Sequence, residues 1–331
     1  MHRPPRPSHL RFLALTAALV GLGLASTAAA LFCAARDDRL APLPVTGSLL
    51  FDEKLEQLRR KGRLDFRVLA LGSSMTLNNL NSASLVERLG PDRSYYNAAA
   101  WGMKVSDTRS MLEYLLARSQ PEVVIVVSGP MDFYGDASAE RVLPERFDEV
   151  LGGTPYPLLV ARYFDLFYYL SEAQRLRLLR TRRDDFDSVA LDAWGGVPLD
   201  LRYPNVPTER WAQRAEAEGF SEAAYADLEA MAAKLRRQGI GFVCAQSPLR
   251  RPALAGAESR LARHWQRVAE ILARHGFDFY NLHRSLELDD SEFADYSHLN
   301  AQGARRFTDA LVLAAASELT IRKTPKDAPE P

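Results

Sequence analysis

Short apolar runs alternate with helical patterns along most of this chain, and this alternation restricts the fold more than any other feature. The run at 122–127, Glu-Val-Val-Ile-Val-Val, is continuous and β-branched, as expected of a strand buried on both faces. Similar runs lie at 67–71, 94–98, 240–245 and 277–282. Helical patterns occupy 77–89, 104–118, 221–238, 256–274 and 301–319. This order predicts an α/β domain in which helices cover both faces of a parallel sheet.

The alternation is interrupted at about 135–215, where six prolines surround an aromatic helical stretch from Tyr163 to Leu179. We interpret this segment as an insertion over one side of the sheet. It serves either as additional core or as a lid or acceptor groove beside a site. The domain is predicted to span 63–320. It follows a polar linker at 36–62 that carries a short amphipathic helix. It precedes a tail at 321–331 whose proline and charge content predicts disorder.

The N-terminus predicts export of the domain. Residues 1–11 are basic and lack acidic side chains, and residues 12–35 carry no charge. About 20 apolar residues can span a bilayer as a helix, and the basic flank predicts that the N-terminus stays inside. A cleaved signal peptide is the alternative, with a small-residue site at 28–30. The length of the apolar run favours an uncleaved, single-pass anchor, with the domain outside the cytoplasm.

Composition excludes some functions. Lys plus Arg and Asp plus Glu both number 42, so the chain has no basic excess for a nucleic-acid partner. The two cysteines, Cys33 and Cys244, lack the spacing of a metal site, and no metal or organic cofactor is predicted. Cys244 lies in an apolar run and is expected to be a small core residue.

Two segments far apart in the sequence contain the residue types of a serine-nucleophile site. Ser74 follows a predicted strand and begins a helix, where backbone N–H groups could stabilise an oxyanion. His298 lies three residues after Asp295, so the carboxylate could orient the imidazole that takes the serine proton. The structural alternatives are a helix cap at 73–74 and a surface histidine whose neighbour Asn300 caps the last helix.

Four blocks, taken in order, resemble the SGNH (GDSL-like) hydrolase superfamily. Gly-Ser-Ser at 72–74 resembles its Gly-Asp-Ser block, and Asp-Tyr-Ser-His at 295–298 is similar to its final Asp-x-x-His block. Asn-Ala-Ala-Ala-Trp-Gly at 97–102 and Gly-Pro-Met-Asp at 129–132 resemble the second and third blocks. The resemblance implies a three-layer, flavodoxin-like fold and a triad that needs no cofactor.

The resemblance also implies roles for individual residues. Ser74, Asp295 and His298 would form the triad, and the N–H groups of Ser74 and Gly102 would bind the oxyanion. Ser73, preferred as a turn or cap although it is the rival nucleophile, and Asn97 would support the site.

The third block departs from the family pattern. Met131 stands where the family places an asparagine that donates to the oxyanion, and methionine cannot donate. Loss of one such donor can cost about 10²–10³ in rate. Asn78 or Asn79 could supply the donor instead. Asp132 is expected to be structural and to accept hydrogen bonds from nearby backbone.

The anchor, the Gly-Ser-Ser block and the insertion together resemble the envelope branch of the superfamily. That branch contains the D-alanyl transfer protein of teichoic acid synthesis and proteins of exopolysaccharide O-acetylation. The resemblance implies an enzyme that forms or cleaves O-acyl esters, most simply acetyl, on an envelope or secreted polysaccharide, often beside a membrane-bound O-acyltransferase. It also implies an anchor in a bacterial inner membrane, with the domain in the periplasm or outside. Two alternatives stay open. One is a catalytically impaired glycan-binding or scaffold partner of a polysaccharide export or acylation machine. The other is a lipase or thioesterase.

Overall fold

The computed structural model describes residues 9–36, 40–90, 94–135, 142–215 and 219–319. The strands are β1 (Val68–Leu71), β2 (Tyr95–Asn97), β3 (Val123–Ser128), β4 (Gly241–Gln246) and β5 (Phe279–Asn281). The helices before β4 are α1 (His9–Arg36), α2 (Leu49–Lys61), α3 (Ser74–Asn79), α4 (Ser82–Leu89), α5 (Val105–Leu116), α6 (Pro144–Leu151), α7 (Tyr156–Tyr163), α8 (Leu166–Thr181), α9 (Thr208–Ala212) and α10 (Glu222–Gln238). The helices after β4 are α11 (Glu258–Arg274), α12 (Leu282–Ser285), α13 (Ala301–Ala314) and α14 (Ala316–Leu319).

The strands form one parallel sheet in the order β2-β1-β3-β4-β5. The predicted fold class, a flavodoxin-like α/β domain, is therefore confirmed. The strand order reverses beside β1, which pairs with β2 on one side and β3 on the other. In open α/β sheets, ligands bind beyond the carboxyl ends of the strands at this switch point. The topology thus indicates a ligand site formed by the residues that follow β1 and β3.

The side chains of each strand alternate between two cores. In β1, Leu69 and Leu71 face the layer that contains α2, α5 and α10, whereas Val68 and Ala70 face the layer that contains α4 and α13. This alternation follows from the period of two along a strand. It also explains why the strands read as continuous apolar runs, since both faces of the sheet are covered.

The prediction of a single helix at 77–89 is wrong. Two helices, α3 and α4, occupy this region, and the chain is extended between them at Leu80 and Asn81. The Asn81 side chain accepts a hydrogen bond from the Ser84 N–H at 2.9 Å and caps α4. An asparagine inside an apparently helical pattern can end one helix and begin the next, because its side chain competes with the backbone for hydrogen bonds.

The insertion contributes to the core. The predicted helical stretch from Tyr163 to Leu179 begins at the last residue of α7 and otherwise coincides largely with α8. Asp165 caps α8 by accepting from the Tyr168 N–H at 3.0 Å. Val197 and Leu199, downstream of α8, are fully buried in the same cluster as α2 and α5. The insertion therefore supplies part of the domain's own core.

The polar segment before the first strand also belongs to the domain. Leu50, Phe51, Leu55 and Leu58 on α2 are buried. Lys54 on the same helix is 3% exposed and donates to the backbone oxygens of Asn97 and Gly195 at 2.6 Å each. Helix α2 thus packs into the core instead of merely leading to it.

Helix α1 is long and apolar enough to cross a membrane. Its segment Arg11–Ala30 has a mean hydropathy of 1.9, and no part of it is buried against the domain. This finding agrees with the predicted span by length and composition. Part of the predicted cytoplasmic basic segment, residues 1–8, and the predicted disordered tail at 321–331 lie outside the described residues.

Candidate active site

The turn after β1 places Ser74 at the switch point of the sheet. Gly72 has φ +135°, and a Cβ atom there would lie 2.6 Å from Thr76 Oγ1. Only glycine fits this turn without displacing its neighbour. Ser73 caps α3 by accepting from the Met75 N–H at 3.1 Å, as preferred from the sequence, and Ser74 is the first helical residue.

A hydrogen-bonded chain links the serine to a carboxylate. Ser74 Oγ lies 2.9 Å from His298 Nε2, and His298 Nδ1 lies 2.8 Å from Asp295 Oδ2. The other carboxylate oxygen, Oδ1, accepts from the backbone N–H groups of Ser297 at 2.8 Å and His298 at 2.7 Å. The three residues proposed from two distant sequence blocks therefore come together in the geometry of a serine–histidine–acid relay.

The surroundings of Asp295 favour its ionised form. Burial opposes ionisation, but His298 and the two backbone N–H groups stabilise the carboxylate, and its pKa lies below the ordinary value. An ionised Asp295 can only accept, so it holds the proton of the neutral imidazole on Nδ1. Nε2 then faces Ser74 Oγ as an acceptor, which is the tautomer that a general base requires.

Asn79 hydrogen-bonds the loop that carries His298, here called the histidine loop, to α3, the helix that begins with Ser74. Its Nδ2 donates to Ser297 O at 3.1 Å and to Ser247 Oγ at 2.7 Å, while Oδ1 accepts from the Leu299 N–H at 2.8 Å. The prediction that Asn78 or Asn79 replaces the missing oxyanion donor is wrong. Asn78 Nδ2 donates to a backbone oxygen 2.8 Å away in the insertion, and neither amide lines the pocket. The sequence contains no signal for the positioning role of Asn79.

A pocket of about 330 Å³ opens over Ser74 and His298. Gly102, with φ +61°, forms part of its wall near the end of β2. The apolar part of the lining is Met75, Met103, Pro130, Met131, Ala215 and Leu249. Its size is at the small end of the usual range of ligand pockets, which is about 300–1,000 Å³.

The third block forms another wall. Met131 is 44% exposed, its backbone oxygen accepts from Lys104 Nζ at 2.8 Å, and its Sδ contacts the hydroxyl of Tyr296. Asp132 accepts from the Gly129 N–H at 2.9 Å, which agrees with its predicted role as a structural acceptor. Burial raises the pKa of the Asp132 carboxyl to about 6, although hydrogen bonds from Gly129 and Ser73 oppose the rise.

The second block is held by the buried Asn97. Its Nδ2 donates to Thr76 O at 3.1 Å, and its Oδ1 accepts from the Ala99 N–H at 3.1 Å. Its backbone oxygen accepts from the buried Lys54. Asn97 therefore connects the turn that leads to Gly102 with the first turn of α3.

The insertion brings Phe186 and Arg210 to the triad, and neither was predicted from the sequence. The ring of Phe186 lies edge-on to the His298 ring, with the centroids 5.9 Å apart. The Arg210 guanidinium lies over Phe186 at 4.2 Å, and its Nη1 is 3.9 Å from Asp295 Oδ2. The interruption of the strand–helix rhythm was the available signal, but no local pattern distinguishes these two residues from others in the insertion.

No protein-family model matches the chain, and no curated protein matches it. Among solved structures, the chain is similar to the acetyl xylan esterase AlAXEase, with 14% identity, coverage of 75% of this chain and 98% of that one, and a TM-score of 0.41. It is similar to a putative acylhydrolase from Bacteroides fragilis NCTC 9343, with 10% identity, 81% and 98% coverage, and a TM-score of 0.43. It is also similar to the acetylxylan esterase Axe2 from Geobacillus stearothermophilus, with 13% identity, 78% and 97% coverage, and a TM-score of 0.41. At these identities the likeness concerns the fold and not the chemistry.

Proposed function

We propose that this protein is a membrane-anchored serine enzyme of the SGNH type that forms or cleaves O-acyl esters on an envelope or secreted polysaccharide. The observation that carries the proposal is the relay from Ser74 through His298 to Asp295, with heavy-atom distances of 2.9 and 2.8 Å. It lies at the carboxyl end of β1, where a parallel sheet binds its ligands. Residue types, distances and location all fit the same chemistry.

The proposed reaction begins when Ser74 Oγ attacks the carbonyl carbon of an ester. His298 Nε2 takes the hydroxyl proton, and Asp295 stabilises the resulting imidazolium. The backbone N–H groups of Ser74 and Gly102 stabilise the oxyanion. His298 then protonates the leaving alcohol as the tetrahedral intermediate collapses, and the acyl group remains on Ser74 as an ester. In the second half-reaction, His298 takes a proton from water or a sugar hydroxyl, whose oxygen attacks the acyl carbon. The bond from the acyl carbon to Ser74 Oγ then breaks, and His298 returns the proton to Ser74 Oγ.

The proposed substrate follows from the pocket and the anchor. A pocket of about 330 Å³ suits a short acyl group, such as acetyl, together with part of the alcohol that carries it. Helix α1 would keep the domain at the outer side of the cytoplasmic membrane, in the periplasm or outside, where envelope polysaccharides are modified. The resemblance to the envelope branch supports a membrane-bound O-acyltransferase as the source of acyl groups for transfer.

Covalent labelling tests the proposal. The full-length protein in detergent is incubated with a fluorophosphonate probe, and the adduct is located by peptide mass spectrometry. We expect an adduct on Ser74 that His298→Ala abolishes, because only an activated serine reacts readily. Ser73→Ala is the matched control and should keep the adduct, since Ser73 acts as a cap. A folded protein without an adduct at Ser74 would contradict an activated serine.

Met131 favours one alternative, a domain that binds a glycan or scaffolds an acylation machine without turnover. It replaces the expected oxyanion donor, and its thioether cannot donate. Ser74→Ala discriminates the two functions in cells. If the protein acts as an enzyme, acylation of the polysaccharide is lost while the protein level is unchanged. If it acts only as a partner, acylation is unaffected.

A further inference from the structure

One face of the insertion is apolar and exposed. The exposed fractions are 81% for Phe167, 70% for Leu170, 60% for Leu158 and 48% for Leu166. On α8, positions 166, 167 and 170 lie on one side of the helix. We refer to the three residues on α8 as the apolar insertion face. Single exposed apolar residues are ordinary, but a contiguous group usually marks a contact surface.

The buried side of α8 holds the chain shortly after it leaves α1. Arg180 Nη1 donates to Leu40 O at 2.8 Å, and the Tyr169 hydroxyl lies 3.0 Å from Pro42 O. Ala41 and Leu176 are buried against Tyr169. The first residues described after α1 are therefore fixed to the same helix that carries the apolar insertion face.

Covalent geometry limits how far α8 can lie from α1. Arg36 is the last residue of α1, and Leu40 is four residues further along. Four residues span at most about 14 Å. Arg36 is also the first charged residue after the uncharged stretch of α1, so it would lie at the membrane surface if α1 crosses the bilayer. Leu40 thus lies within about 14 Å of Arg36, and α8, which binds Leu40 O through Arg180, is held on the side of the domain that faces α1.

We propose that the apolar insertion face is seated in the headgroup–acyl boundary of the bilayer that α1 spans. The charge beside this face fits the placement, because Arg177 is exposed and, seven residues after Leu170, lies on the same side of α8. Apolar side chains with basic neighbours are typical of helices that lie in an interface with anionic lipids. This inference rests on the membrane anchor of the proposed function and is independent of the chemistry at Ser74.

Fluorescent labelling of the full chain in lipid vesicles tests the seating. Cys33 is replaced by serine, whereas Cys244 is kept because burial raises the pKa of its thiol to about 12 and slows labelling. Single cysteines are introduced by Phe167→Cys and Leu170→Cys and labelled with the dye NBD. The vesicles contain phosphatidylcholine and phosphatidylglycerol, with or without doxyl-labelled lipids. We expect blue-shifted emission at both positions and quenching of at least about twofold by the doxyl lipids.

Two further positions separate the possible failures. Leu313→Cys on α13 is the matched control, since Leu313 is apolar and 75% exposed but belongs to the opposite layer of the fold. It should stay water-like and unquenched. Leu19→Cys, inside α1, reports on the anchor itself. If Leu19→Cys is quenched while positions 167 and 170 behave like 313, the seating is refuted and the anchor stands. If Leu19→Cys is not quenched, the anchor and the seating both fail. Blue-shifted emission at 167 and 170 without doxyl quenching would show that protein and not lipid covers these positions, which would also overturn the lipid assignment.

The pocket contains another candidate for the oxyanion donor that Met131 cannot supply. The Tyr296 hydroxyl lies against Met131 Sδ, at the side-chain position where the resemblance places a donor. Tyr296 and Met131 line the pocket together with Ser74 and Gly102. A thioether is a weak acceptor, so a negatively charged oxygen would be a stronger partner for the same hydroxyl. We infer that Tyr296 donates to the oxyanion in place of the missing asparagine.

A pair of substitutions tests this role, which rests on the proposed function. With p-nitrophenyl acetate as substrate, Tyr296→Phe should lower kcat by about 10- to 100-fold with little change in KM, because the lost bond forms mainly in the transition state. Met131→Asn in the Tyr296→Phe background should recover most of the loss, because it restores the usual donor.

Two outcomes would count against Tyr296 as the donor. One is an unchanged kcat in Tyr296→Phe, and the other is a loss of kcat that Met131→Asn does not recover. A wild-type protein that neither turns over the ester nor takes the fluorophosphonate label would instead contradict the proposed function.

Discussion

Replacing Asp295 by asparagine should disable the site without disturbing the fold. Asp295 Oδ1 accepts from two backbone N–H groups, at 2.7 and 2.8 Å, so the amide oxygen of the new side chain must occupy that position. The amide NH₂ then lies where Oδ2 was, 2.8 Å from His298 Nδ1. Because the NH₂ donates, Nδ1 must accept, and the imidazole proton moves to Nε2. His298 then presents a proton to Ser74 and cannot take one.

The size of the effect follows from the alternatives open to this variant. Flipping the amide would restore the tautomer but would turn the NH₂ toward two N–H donors, and each unsatisfied group costs about 1–3 kcal/mol. The wrong tautomer should therefore dominate. An asparagine at the acid position of a comparable triad lowers kcat by about 10⁴, or about 5.5 kcal/mol of transition-state stabilisation. We expect a loss of about 10³–10⁴ in kcat here.

The assay compares kcat and kcat/KM for p-nitrophenyl acetate in the wild-type, Asp295→Asn and Asp289→Asn proteins. Asp289, exposed and six residues earlier, is the matched control and should leave the rate unchanged. Circular dichroism and the thermal midpoint check that both variants are folded. A folded Asp295→Asn protein with less than about a tenfold loss would refute the tautomer reasoning.

Three further substitutions test the supports of the site and the fold. Asn79→Ala should lower kcat by about 10- to 100-fold in the same ester assay, because it frees the His298 loop from α3; unchanged kcat would contradict that positioning role. Gly72→Ala should lower the free energy of unfolding in urea by about 2 kcal/mol or more, since its Cβ would meet Thr76 Oγ1 at 2.6 Å. Gly62→Ala, whose Cβ has open space around it, should lower the free energy of unfolding less. Equal losses would show that the contact with Thr76 is unimportant. Burial lowers the pKa of Lys54 to about 7 from 10.5, so the unfolded chain binds more protons between these values and stability rises with pH. The rise should reach roughly 3–5 kcal/mol and should be absent in Lys54→Met, as measured by urea unfolding at several pH values between 7 and 10; equal slopes in both proteins would contradict the burial of a titrating amine.

Local patterns predicted the strands well because each is a short, continuous apolar run in a chain with regular alternation. They failed at 77–89, where apolar spacing alone suggested one helix. The Asn81 side chain ends that helical run by capping α4 instead. A capping asparagine and an asparagine inside a helix look alike in sequence, and the difference depends on whether the side chain reaches a backbone N–H.

The prediction that the polar segment before β1 is a linker is wrong for another reason. Its charged residues suggested a linker, yet α2 is packed into the core and Lys54 is buried among backbone oxygens. A lysine can be buried when carbonyl groups satisfy its donors, and those carbonyls come from residues 43 and 141 positions away. No window of local sequence contains that information.

The sequence by itself determined the α/β class, the apolar N-terminal span and the three residues Ser74, Asp295 and His298, because these depend on short-range periodicity and on the order of a few chemically distinctive blocks. Only the tertiary structure decided how the site is held and enclosed. Asn79 hydrogen-bonds the histidine loop to α3, and Phe186 lies beside the His298 imidazole. Both roles arise from contacts between segments more than 100 residues apart. The geometry of such contacts is set by the packing of the whole core and not by the local preferences of either segment.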